Sequence, residues 1–350
     1  MREKKRRFLV IGLTLYMLIF SGCAAPGRPE PPEQEEQDEA KIQIGITFDS
    51  FLIERWQRDR DVFVSAAQEL GAEVNVQNAN GSMDEQIKQI DYFISKKMDV
   101  IVIICVAMNP EEMVGAVEKA HRAGIPVIAY DRLIPGADVD LYISFDNEEV
   151  GRLMAHHMQK HLGYEGTLLQ VCGPLEDNNV SLVMGGFAEI LGRNTLHIDQ
   201  TEYAEGWLSE TGFTATSAYL AEHDPPDGIM CGNDSIAGQA IRALSERRLA
   251  GSVCVVGQDA DLDACQRIVE GTQCMTVYKP VEKLARRAAE LAVAMADEEA
   301  MIVFTEIKND GIYDVPYENL APEAVTKENM DEVITGKYHE ESDIYLNVRR

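Results

Sequence analysis

The sequence predicts an α/β protein with two similar lobes, each a doubly wound parallel β-sheet covered by helices on both faces. The chain has 350 residues, enough for two domains of ordinary size. Its hydrophobic content is 45%, which is normal for packed cores. From residue 41 onward, short apolar runs alternate with helical patterns in two successive series. Such alternation is typical of parallel sheets.

The first series occupies residues 41 to 130. Gly71 and Gly124 directly follow two of its helical patterns, where glycine commonly ends a helix, and Pro110 stands at the first position of another. Val127 to Tyr130 is a run of the kind found in strands buried on both faces. The predicted strands are 42–46, 73–76, 100–104 and 127–130, and the predicted helices are 54–70, 84–96 and 110–123.

The second series begins after a further short apolar run, Leu141 to Ser144. Asp146 and Asn147 then precede a helical pattern, as an N-terminal cap does, so one β/α stack ends here and another begins. The predicted helices of this series are 147–161, 178–191, 209–222, 233–247, 262–270 and 280–296. Its predicted strands are 167–171, 195–198, 227–230, 253–256, 274–278 and one near 302–304. These strands suffice for two sheets of ordinary size.

The first 23 residues predict a bacterial lipoprotein signal peptide. Five basic residues between Arg2 and Arg7 precede an apolar run, Phe8 to Phe20, whose 13 residues are too few to span a membrane comfortably. The segment Ser21-Gly22-Cys23 then resembles the lipobox, in which the cysteine is lipidated after cleavage and becomes the mature N-terminus. Phe20 departs from the aliphatic residue preferred at its position, so an uncleaved anchor is the alternative.

Residues 24–40 are rich in Pro, Glu and Gln and have no apolar periodicity. We therefore expect a disordered tether that holds the protein off the outer face of the cytoplasmic membrane. Without the first 23 residues, 27 Lys and Arg stand against 58 Asp and Glu, a formal charge of −31. Because affinity for nucleic acid depends on cationic contacts, so acidic a protein excludes nucleic acid as a partner.

Motifs of common enzyme and cofactor sites are missing from the sequence. Gly185-Gly186 lies inside a helical pattern and not in a phosphate loop, and G-x-S-x-G, H-E-x-x-H and EF-hand sequences are lacking. His156 and His157 are adjacent on a helix and cannot share one ligand face. The six cysteines after Cys23 show no C-x-x-C and no Cys/His metal spacing. We therefore expect no enzyme, cofactor or metal, and free buried thiols, with disulfides as the alternative.

Polar side chains recur where predicted strands end, the edge of a parallel sheet at which ligands bind. Asp131 and Arg132 directly follow the strand at 127–130. A carboxylate accepts from hydroxyls and a guanidinium donates several N–H groups in a rigid fork, so the pair suits a polyhydroxylated ligand. A structural ion pair is the alternative. The other strand-end groups are Arg55-Trp56, Asp177-Asn178-Asn179, Gly206-Trp207, Asn233-Asp234, Gln258-Asp259 and Tyr278-Lys279.

Each strand-end group also has a simpler explanation. Asn233 could cap a helix, Asp259 could be a loop residue, and Trp56 could belong to the core. Their recurrence in both series is what indicates a site. Amides, carboxylates, cations and indole rings together match a sugar, because hydroxyls need paired donors and acceptors and an indole covers the C–H face of the ring.

Long runs of the sequence resemble the D-xylose-binding proteins of the ribose/galactose-binding class of periplasmic sugar receptors. The resemblance covers Lys41 to about Ser342. The runs that carry it are LIERWQRDRDVF, QNANG, VIAYDR, YISFDNEEVG, EDNN, EGW, GNDSIAGQAIRALS, GQDADLDACQRI and GTQCMTVYKP. Runs of this length, in the same order and at similar spacing, are far more specific than a short motif.

The resemblance implies a set of sugar contacts in this sequence, with the two tryptophans flanking the sugar ring. Two departures from the family pattern lie near Asn179: Tyr203 replaces a usual Trp, and Gly173-Pro174-Leu175 replaces Gly-Ser-Pro. The implied contacts are Arg55, Trp56, Asp131, Arg132, Asn179, Trp207, Asn233, Asp259 and Lys279.

The resemblance also implies two lobes joined by a three-segment hinge, the fold of type I periplasmic binding proteins. The crossings are expected near Asp146, Lys279 and Asn309-Asp310-Gly311. The N-terminal lobe would then comprise 41–146 and 280–309, the C-terminal lobe 147–279 and 310–340, and the tail 341–350. Sugar binding would close the cleft by hinge motion.

The function implied is that of a monomeric, lipid-anchored receptor that captures a monosaccharide, D-xylose first of all, outside the membrane and delivers it to an ABC permease. A sensing subunit that signals to a membrane histidine kinase would use the same pocket and is the alternative. A sugar-processing enzyme is disfavoured because the sequence offers no assignable acid/base pair. A transcriptional repressor is disfavoured because a signal segment stands where its helix-turn-helix would be.

Overall fold

Two β-sheets organise the chain. The computed structural model describes residues 41–106, 110–163, 165–192, 195–297, 304 and 306–348. In these residues a seven-stranded sheet and a six-stranded sheet each carry helices on both faces. The α/β, doubly wound prediction is confirmed.

The first lobe contains the first β/α series. Ser82 caps its second helix by accepting a hydrogen bond from the backbone N–H of Glu85, and Lys97 ends that helix in the left-handed conformation. The elements are β1 (Gln43–Phe48), α1 (Arg55–Glu69), β2 (Glu73–Asn78), α2 (Met83–Lys96), β3 (Val100–Ile103), a 3-10 turn (Pro110–Met113), α3 (Val114–Arg122), β4 (Val127–Tyr130) and β5 (Leu141–Phe145).

The second lobe contains the second series. Its first helix begins at an Asp146 cap, whose carboxylate accepts from the backbone N–H of Glu149. The elements are α4 (Asn147–Leu162), β6 (Glu165–Cys172), α5 (Asn178–Leu191), β7 (Thr195–Tyr203), a 3-10 turn (Glu205–Trp207), α6 (Glu210–Glu222), β8 (Gly228–Cys231), α7 (Asp234–Glu246), β9 (Cys254–Gln258), α8 (Leu262–Glu270) and β10 (Met275–Tyr278).

The remaining elements are shared between the lobes. They are α9 (Val281–Ala296), β11 (Glu306–Asn309), β12 (Asp314–Leu320), β13 (Glu323–Val325), α10 (Met330–Val333) and α11 (Glu341–Ile344). Helix α9 packs with α1 in the first-lobe core, and β13 pairs with β10 in the second lobe. The strand orders are β11-β12-β5-β4-β3-β1-β2 and β13-β10-β9-β8-β6-β7.

The chain passes between the lobes after β5, after β10 and after β12. The third passage lies at 320–323 and corrects the predicted position at Asn309-Asp310-Gly311. Those three residues instead form the turn of the β11–β12 hairpin, where the Asp310 carboxylate accepts from the backbone N–H groups of Ile312 and Tyr313. A turn sequence marks a reversal of the chain, and here both strands stay in the first sheet.

Two further expectations concern the C-terminal part. The strand predicted near 302–304 falls mainly outside the described residues, and Phe304 lies in no regular element. The predicted tail 341–350 begins with helix α11, whose Ile344 is buried in a cluster with residues of α8 and α10. The segment is therefore packed on the second lobe. Within the described chain, no helix combines the length and apolar character needed to cross a bilayer.

Helices α4 and α5 cross in close contact through two glycines. A Cβ on Gly151 would lie 2.0 Å from the backbone oxygen of Val183, and one on Gly186 would lie 1.9 Å from the backbone oxygen of Glu148. Gly185, one residue earlier on α5, has open space at the same position. Of the two adjacent glycines, Gly186 is thus required for the helix contact, whereas Gly185 faces open space.

Gly186→Ala should destabilise the protein by about 1–3 kcal/mol, because the added methyl group must push two helices apart. Gly185→Ala is the matched control and should raise stability by up to about 1 kcal/mol, since alanine favours a helix more than glycine does. Urea unfolding followed by circular dichroism measures both. Equal stabilities of the two variants would show that the helix contact does not require glycine.

Candidate functional site

A cavity lies between the lobes at the carboxyl ends of the sheet strands. The space between protein atoms there is about 490 Å³, part of it open to solvent. The first lobe contributes Ile53, Arg55, Trp56, Asp131 and Arg132. The second contributes Cys172, Gly173, Asp177, Asn179, Val180, Val183, Met184, Trp207, Met230, Gly232, Gln258, Asp259 and Lys279.

Arg55 is the central cation of the cavity. It begins α1 and is 3% exposed. Its Nη2 lies 2.6 Å from Oδ2 of Asp131, its Nε lies 3.4 Å from Oδ2 of Asp59, and its Nη1 lies 3.7 Å from Oδ1 of Asp259 in the other lobe. The guanidinium carbon also lies 4.4 Å from the centre of the Trp56 ring. Arg55 therefore joins both lobes and holds one face of Trp56.

Arg132 forms a second connection across the cavity. Its Nη1 lies 2.5 Å from Oδ2 of Asp49 and donates to the carbonyl oxygen of Cys105 at 2.9 Å, both in the first lobe. Its Nε lies 2.8 Å from Oδ2 of Asp177 in the second lobe. The side chain is 4% exposed. A buried guanidinium with this many partners has a fixed position.

In the second lobe, Asp177 at the N-terminus of α5 orients the neighbouring cavity residues. Asp177 caps α5 by accepting from the backbone N–H of Asn179 at 3.0 Å. Asn179 Nδ2 in turn donates across the cavity to the carbonyl oxygen and to Oδ1 of Asp131, each at 3.0 Å. Trp207 Nε1 donates to Oδ2 of Asp177 at 3.1 Å. The Asp177 carboxylate thus holds the N-terminus of α5, the guanidinium of Arg132 and the indole of Trp207 in place.

Gly173 allows the Trp207 ring to approach the backbone. A Cβ at Gly173 would lie 2.4 Å from the Cη2 atom of Trp207, and a Cβ at Gly232 would lie 2.6 Å from the backbone nitrogen of Gly173. The ring therefore packs directly on the end of β6, and the end of β8 packs against the same backbone. The loop that departs from the family pattern keeps its glycine at the position where the indole requires it.

Three of these residues have a positive φ although they are not glycine. Asp131, Trp207 and Asp259 have φ values of 65°, 61° and 98°. Such conformations are costly for side chains with a Cβ and cluster at functional sites. Asp259 Oδ1 lies 3.3 Å from Nζ of Lys279. The turns after β4, β7 and β9 therefore direct one functional side chain each toward the cavity.

Burial raises the pKa of the carboxylates around the cavity, and the neighbouring cations lower it. Burial raises the pKa of Asp131, but the charges of Arg55, Lys279 and Arg132 outweigh it and hold that pKa below its ordinary value. For Asp59, burial outweighs Arg55 and the hydrogen bond from Tyr130, and the pKa rises from 3.8 to about 6. Asp131 is thus a carboxylate acceptor at neutral pH.

The charges that line the cavity balance. Among the lining residues named above, Arg55, Arg132 and Lys279 are cationic, and the carboxylates of Asp131, Asp177 and Asp259 match them. These cations and carboxylates already form ion pairs with one another: Arg55 with Asp131, Arg132 with Asp177, and Lys279 with Asp259. A ligand therefore needs no net charge to fit, and donors and acceptors of both kinds are available to it.

Three buried polar atoms of the lining residues lack a hydrogen-bond partner in the described structure. They are Nε1 of Trp56, Oε1 of Gln258 and Oδ1 of Asp259, and the last of these forms ion pairs with Lys279 at 3.3 Å and Arg55 at 3.7 Å. A buried polar atom without a partner costs about 1–3 kcal/mol, so each calls for an explanation. The Trp56 N–H and the Gln258 amide oxygen are thus one donor and one acceptor that a ligand with several hydroxyl groups can satisfy.

The structure brings eight of the nine predicted contacts to the cavity. Asn233 is not among the lining residues. Its Oδ1 accepts from the backbone N–H of Ile236, so it caps α7, the simpler explanation of its position. Asp177, Gln258, Gly173 and Gly232 line the cavity without having been named as contacts. Asp177 and Gln258 stand in the strand-end groups, a signal already present. Cys23 lies outside the described residues.

Asp59→Asn should flatten the pH dependence of the free energy of unfolding. The folded-state pKa of Asp59, about 6, exceeds its ordinary 3.8, so its stabilising effect is complete below that lower value and is lost as pH rises to about 6. Between pH about 4 and about 6 the wild type should lose on the order of 1–3 kcal/mol more than the variant. Urea unfolding at several pH values measures this.

The control for Asp59→Asn is Asp61→Asn, two residues along the same helix, where the side chain is exposed and pairs with Arg60. This variant should keep the wild-type slope. Parallel stability curves for wild type and Asp59→Asn across the interval would contradict the raised pKa.

The lobes, the three crossings and the cavity between them define a bilobal binding protein. The chain belongs to the periplasmic binding protein family, since residues 44–300 match the family described as "Periplasmic binding protein domain".

Particular relatives are more similar still. The chain is 41% identical to the "D-xylose-binding periplasmic protein" of Haemophilus influenzae, over 87% of this chain and 92% of the relative. It is 40% identical to the protein of the same name from Escherichia coli, over 87% of this chain and 93% of the relative.

Solved structures match the fold closely. A solute-binding protein from Clostridium phytofermentans with bound β-D-glucose has a TM-score of 0.78 and 25% identity, covering 86% of this chain and 99% of the other. A carbohydrate-transporter solute-binding protein from Chloroflexus aurantiacus in complex with D-glucose has a TM-score of 0.78 and 27% identity, covering 86% and 98%. The predicted resemblance and fold class are confirmed.

Proposed function

We propose that this chain is an extracytoplasmic receptor that captures D-xylose between its lobes and delivers it to an ABC permease. D-Xylose is proposed as the ligand because the chain is 41% identical, across 87% of its length, to a D-xylose-binding periplasmic protein. The glucose-bound structures are more distant, at 25% and 27% identity. The neutral, partly unsatisfied cavity supports a small polyhydroxylated ligand independently of the relatives.

In this proposal the sugar satisfies the buried polar atoms of the cavity. Trp56 and Trp207 cover the two faces of the ring, with Trp207 supported from behind by Gly173. Sugar hydroxyls accept from Arg55, Arg132 and Lys279 and donate to Asp131 and Asp259. Asn179 supplies one amide donor and one acceptor. The protein acts as a monomer and needs no cofactor.

In this proposal, closure of the lobes is what signals to the permease that sugar is bound. Ligand atoms that touch both lobes favour the closed arrangement in proportion to the contacts made only there. Asn179 and Asp131 already meet across the cavity, so the open form must release them. A permease that recognises the closed form then receives loaded protein in preference to empty protein.

Trp207→Ala should weaken D-xylose binding at least about tenfold, because truncating a tryptophan at the centre of a binding site commonly costs about 2 kcal/mol or more. Calorimetric titration of wild type with xylose, ribose, arabinose, glucose and galactose measures the reference affinities, and xylose should bind most tightly. Tyr92→Ala removes a half-exposed aromatic on α2 and should leave affinity unchanged. Equal affinity in Trp207→Ala would remove Trp207 from the site, whereas tighter binding of another sugar would replace xylose as ligand.

A chromosomal deletion separates delivery from sensing. Loss of xylose uptake on deletion, restored by the wild-type gene and not by the Trp207→Ala gene, supports delivery to a permease. Normal uptake combined with loss of a xylose-induced transcriptional response would instead support a subunit that signals to a membrane histidine kinase.

Membrane attachment is proposed to depend on lipidated Cys23. In the wild type the mature N-terminus should be Cys23 carrying lipid, whereas Cys23→Ser should carry no lipid, because serine lacks the thiol that is modified. Fractionation with immunoblotting, together with mass spectrometry of the mature N-terminus, measures this. Wild-type protein that stays membrane-bound with its leader intact and Cys23 unmodified would support the uncleaved anchor instead.

A further inference from the structure

Four side chains with metal-binding atoms meet on the second lobe, outside the sugar cavity. His157 and His161 come from α4, Cys254 is the first residue of β9, and Cys274 directly precedes β10. Their ring nitrogens and sulfur atoms all lie within 4.8 Å of one another. Cys274 Sγ lies 4.0 Å from His161 Nε2. We call these four residues the His/Cys cluster.

Local structure explains why the four residues meet. Two residues four apart on a helix share one face, and the rings of His157 and His161 are nearly parallel, with centroids 6.2 Å apart. Strands β9 and β10 are neighbours, and the backbone N–H of Cys274 donates to the carbonyl oxygen of Val255 at 2.9 Å. Helix α4 packs on the same face of the sheet through Met154 and Met158. The cluster thus joins three elements of one core.

The cluster lies at the opposite end of the sheet from the sugar cavity. Cys254 and Cys274 stand at the amino ends of β9 and β10, whereas Gln258, Asp259 and Lys279 stand at their carboxyl ends and line the cavity. None of the four cluster residues lines that cavity. Sugar binding therefore does not explain why they are together.

The geometry points to a Zn²⁺ site: we propose that His157, His161, Cys254 and Cys274 bind one Zn²⁺ tetrahedrally. Two thiolates and two imidazoles are a common ligand set of structural zinc sites. Around a zinc ion with bonds of about 2.0–2.3 Å, neighbouring ligand atoms are about 3.3–3.8 Å apart. Because the ligand atoms now lie within 4.8 Å of one another, the cluster needs a contraction of about 1.5 Å at most to reach that spacing.

The burial of the four residues suits this contraction. Cys254 is buried in the sheet and provides a fixed ligand, Cys274 and His157 are half-buried, and His161 is exposed. An exposed histidine can change rotamer at little cost and also leaves a path for the ion. Both cysteines are free thiols in this structure. The site therefore has a rigid interior half and an adjustable exterior half.

The proposal departs from the prediction that the chain binds no metal. Spacing along the sequence shows His157 and His161 as a pair four residues apart, but the two cysteines lie about a hundred residues further on in separate strands. The adjacent His156 is exposed and does not belong to the cluster. Only the fold brings a histidine pair and two cysteines together.

Metal titration of the purified, reduced protein tests the proposal. One equivalent of Co²⁺ should produce the visible bands of tetrahedral cobalt and the near-ultraviolet absorption of cobalt–thiolate bonds, and one equivalent of Zn²⁺ should abolish both. Zn²⁺ should also raise the unfolding temperature, because an ion that binds the folded state stabilises it. Octahedral Co²⁺ spectra without thiolate absorption would overturn the site.

Variants identify the ligands. His161→Asn and Cys274→Ser should each weaken Zn²⁺ binding by at least about tenfold, a loss that even outer-shell partners of metal ligands cause. His156→Asn makes the same change on an exposed neighbour and should bind Zn²⁺ like wild type. His161 is exposed, so its variant should fold, and sugar titration confirms that it does. Unchanged Zn²⁺ affinity in His161→Asn overturns the proposal.

The redox state of the two cysteines offers an independent outcome. Mass spectrometry of protein exported by its native host, without reductant, distinguishes free thiols from a bond between Cys254 and Cys274. Free or metal-protected thiols support the proposal. A complete disulfide between these two cysteines in the exported protein would overturn it, because both proposed thiolate ligands would be consumed.

Discussion

Two buried guanidinium groups hold the cavity together, and most of the site depends on their pairing. Arg55 and Arg132 each contact carboxylates from both lobes, at distances between 2.5 and 3.7 Å. A buried charge without a partner costs several kcal/mol, whereas a well-paired one is close to neutral in its net effect. The closed arrangement is thus neither strongly favoured nor strongly opposed by these ions. Small contributions from a ligand can then decide the equilibrium between open and closed forms.

Backbone geometry places the carboxylates that this pairing requires. Asp131 and Asp259 both have positive φ at the end of a strand, a conformation that costs about 1–3 kcal/mol for a residue with a Cβ. The backbone N–H of Asp131 donates to the carbonyl oxygen of Ile143, and that of Asp259 donates to Val277, each at 2.8 Å. These bonds continue the sheet by one residue while the side chain turns aside. The positive φ at Asp131 and Asp259 therefore lets the backbone complete the sheet hydrogen bonds while the carboxylate faces the cavity.

The sequence was informative where one element or one strand end decides the structure. Alternation of apolar runs and helical patterns was enough to predict two parallel sheets, and strand-end residues were enough to predict most of the cavity. Where a sequence signal has two structural meanings, the sequence alone did not decide between them. Asn233 could be a ligand or a helix cap, and in the fold its side-chain oxygen caps α7. Asn309-Asp310-Gly311 could precede a crossing or close a hairpin, and strand pairing makes it a hairpin.

Features that depend on distant parts of the chain were beyond sequence reasoning. The strand-end position of Asp177 is visible in the sequence, but its contacts with Trp207 and Arg132, 30 and 45 positions away, are not. The His/Cys cluster combines a helix with two strands in the same way. Its position has a consequence for motion: β9 and β10 hold the cluster at one end and Asp259 and Lys279 at the other. A metal at the amino ends would stiffen the second lobe as a unit, while hinge closure depends on contacts at the carboxyl ends. Metal and sugar should therefore act on different free energies, the first on unfolding of the lobe and the second on its approach to the partner lobe.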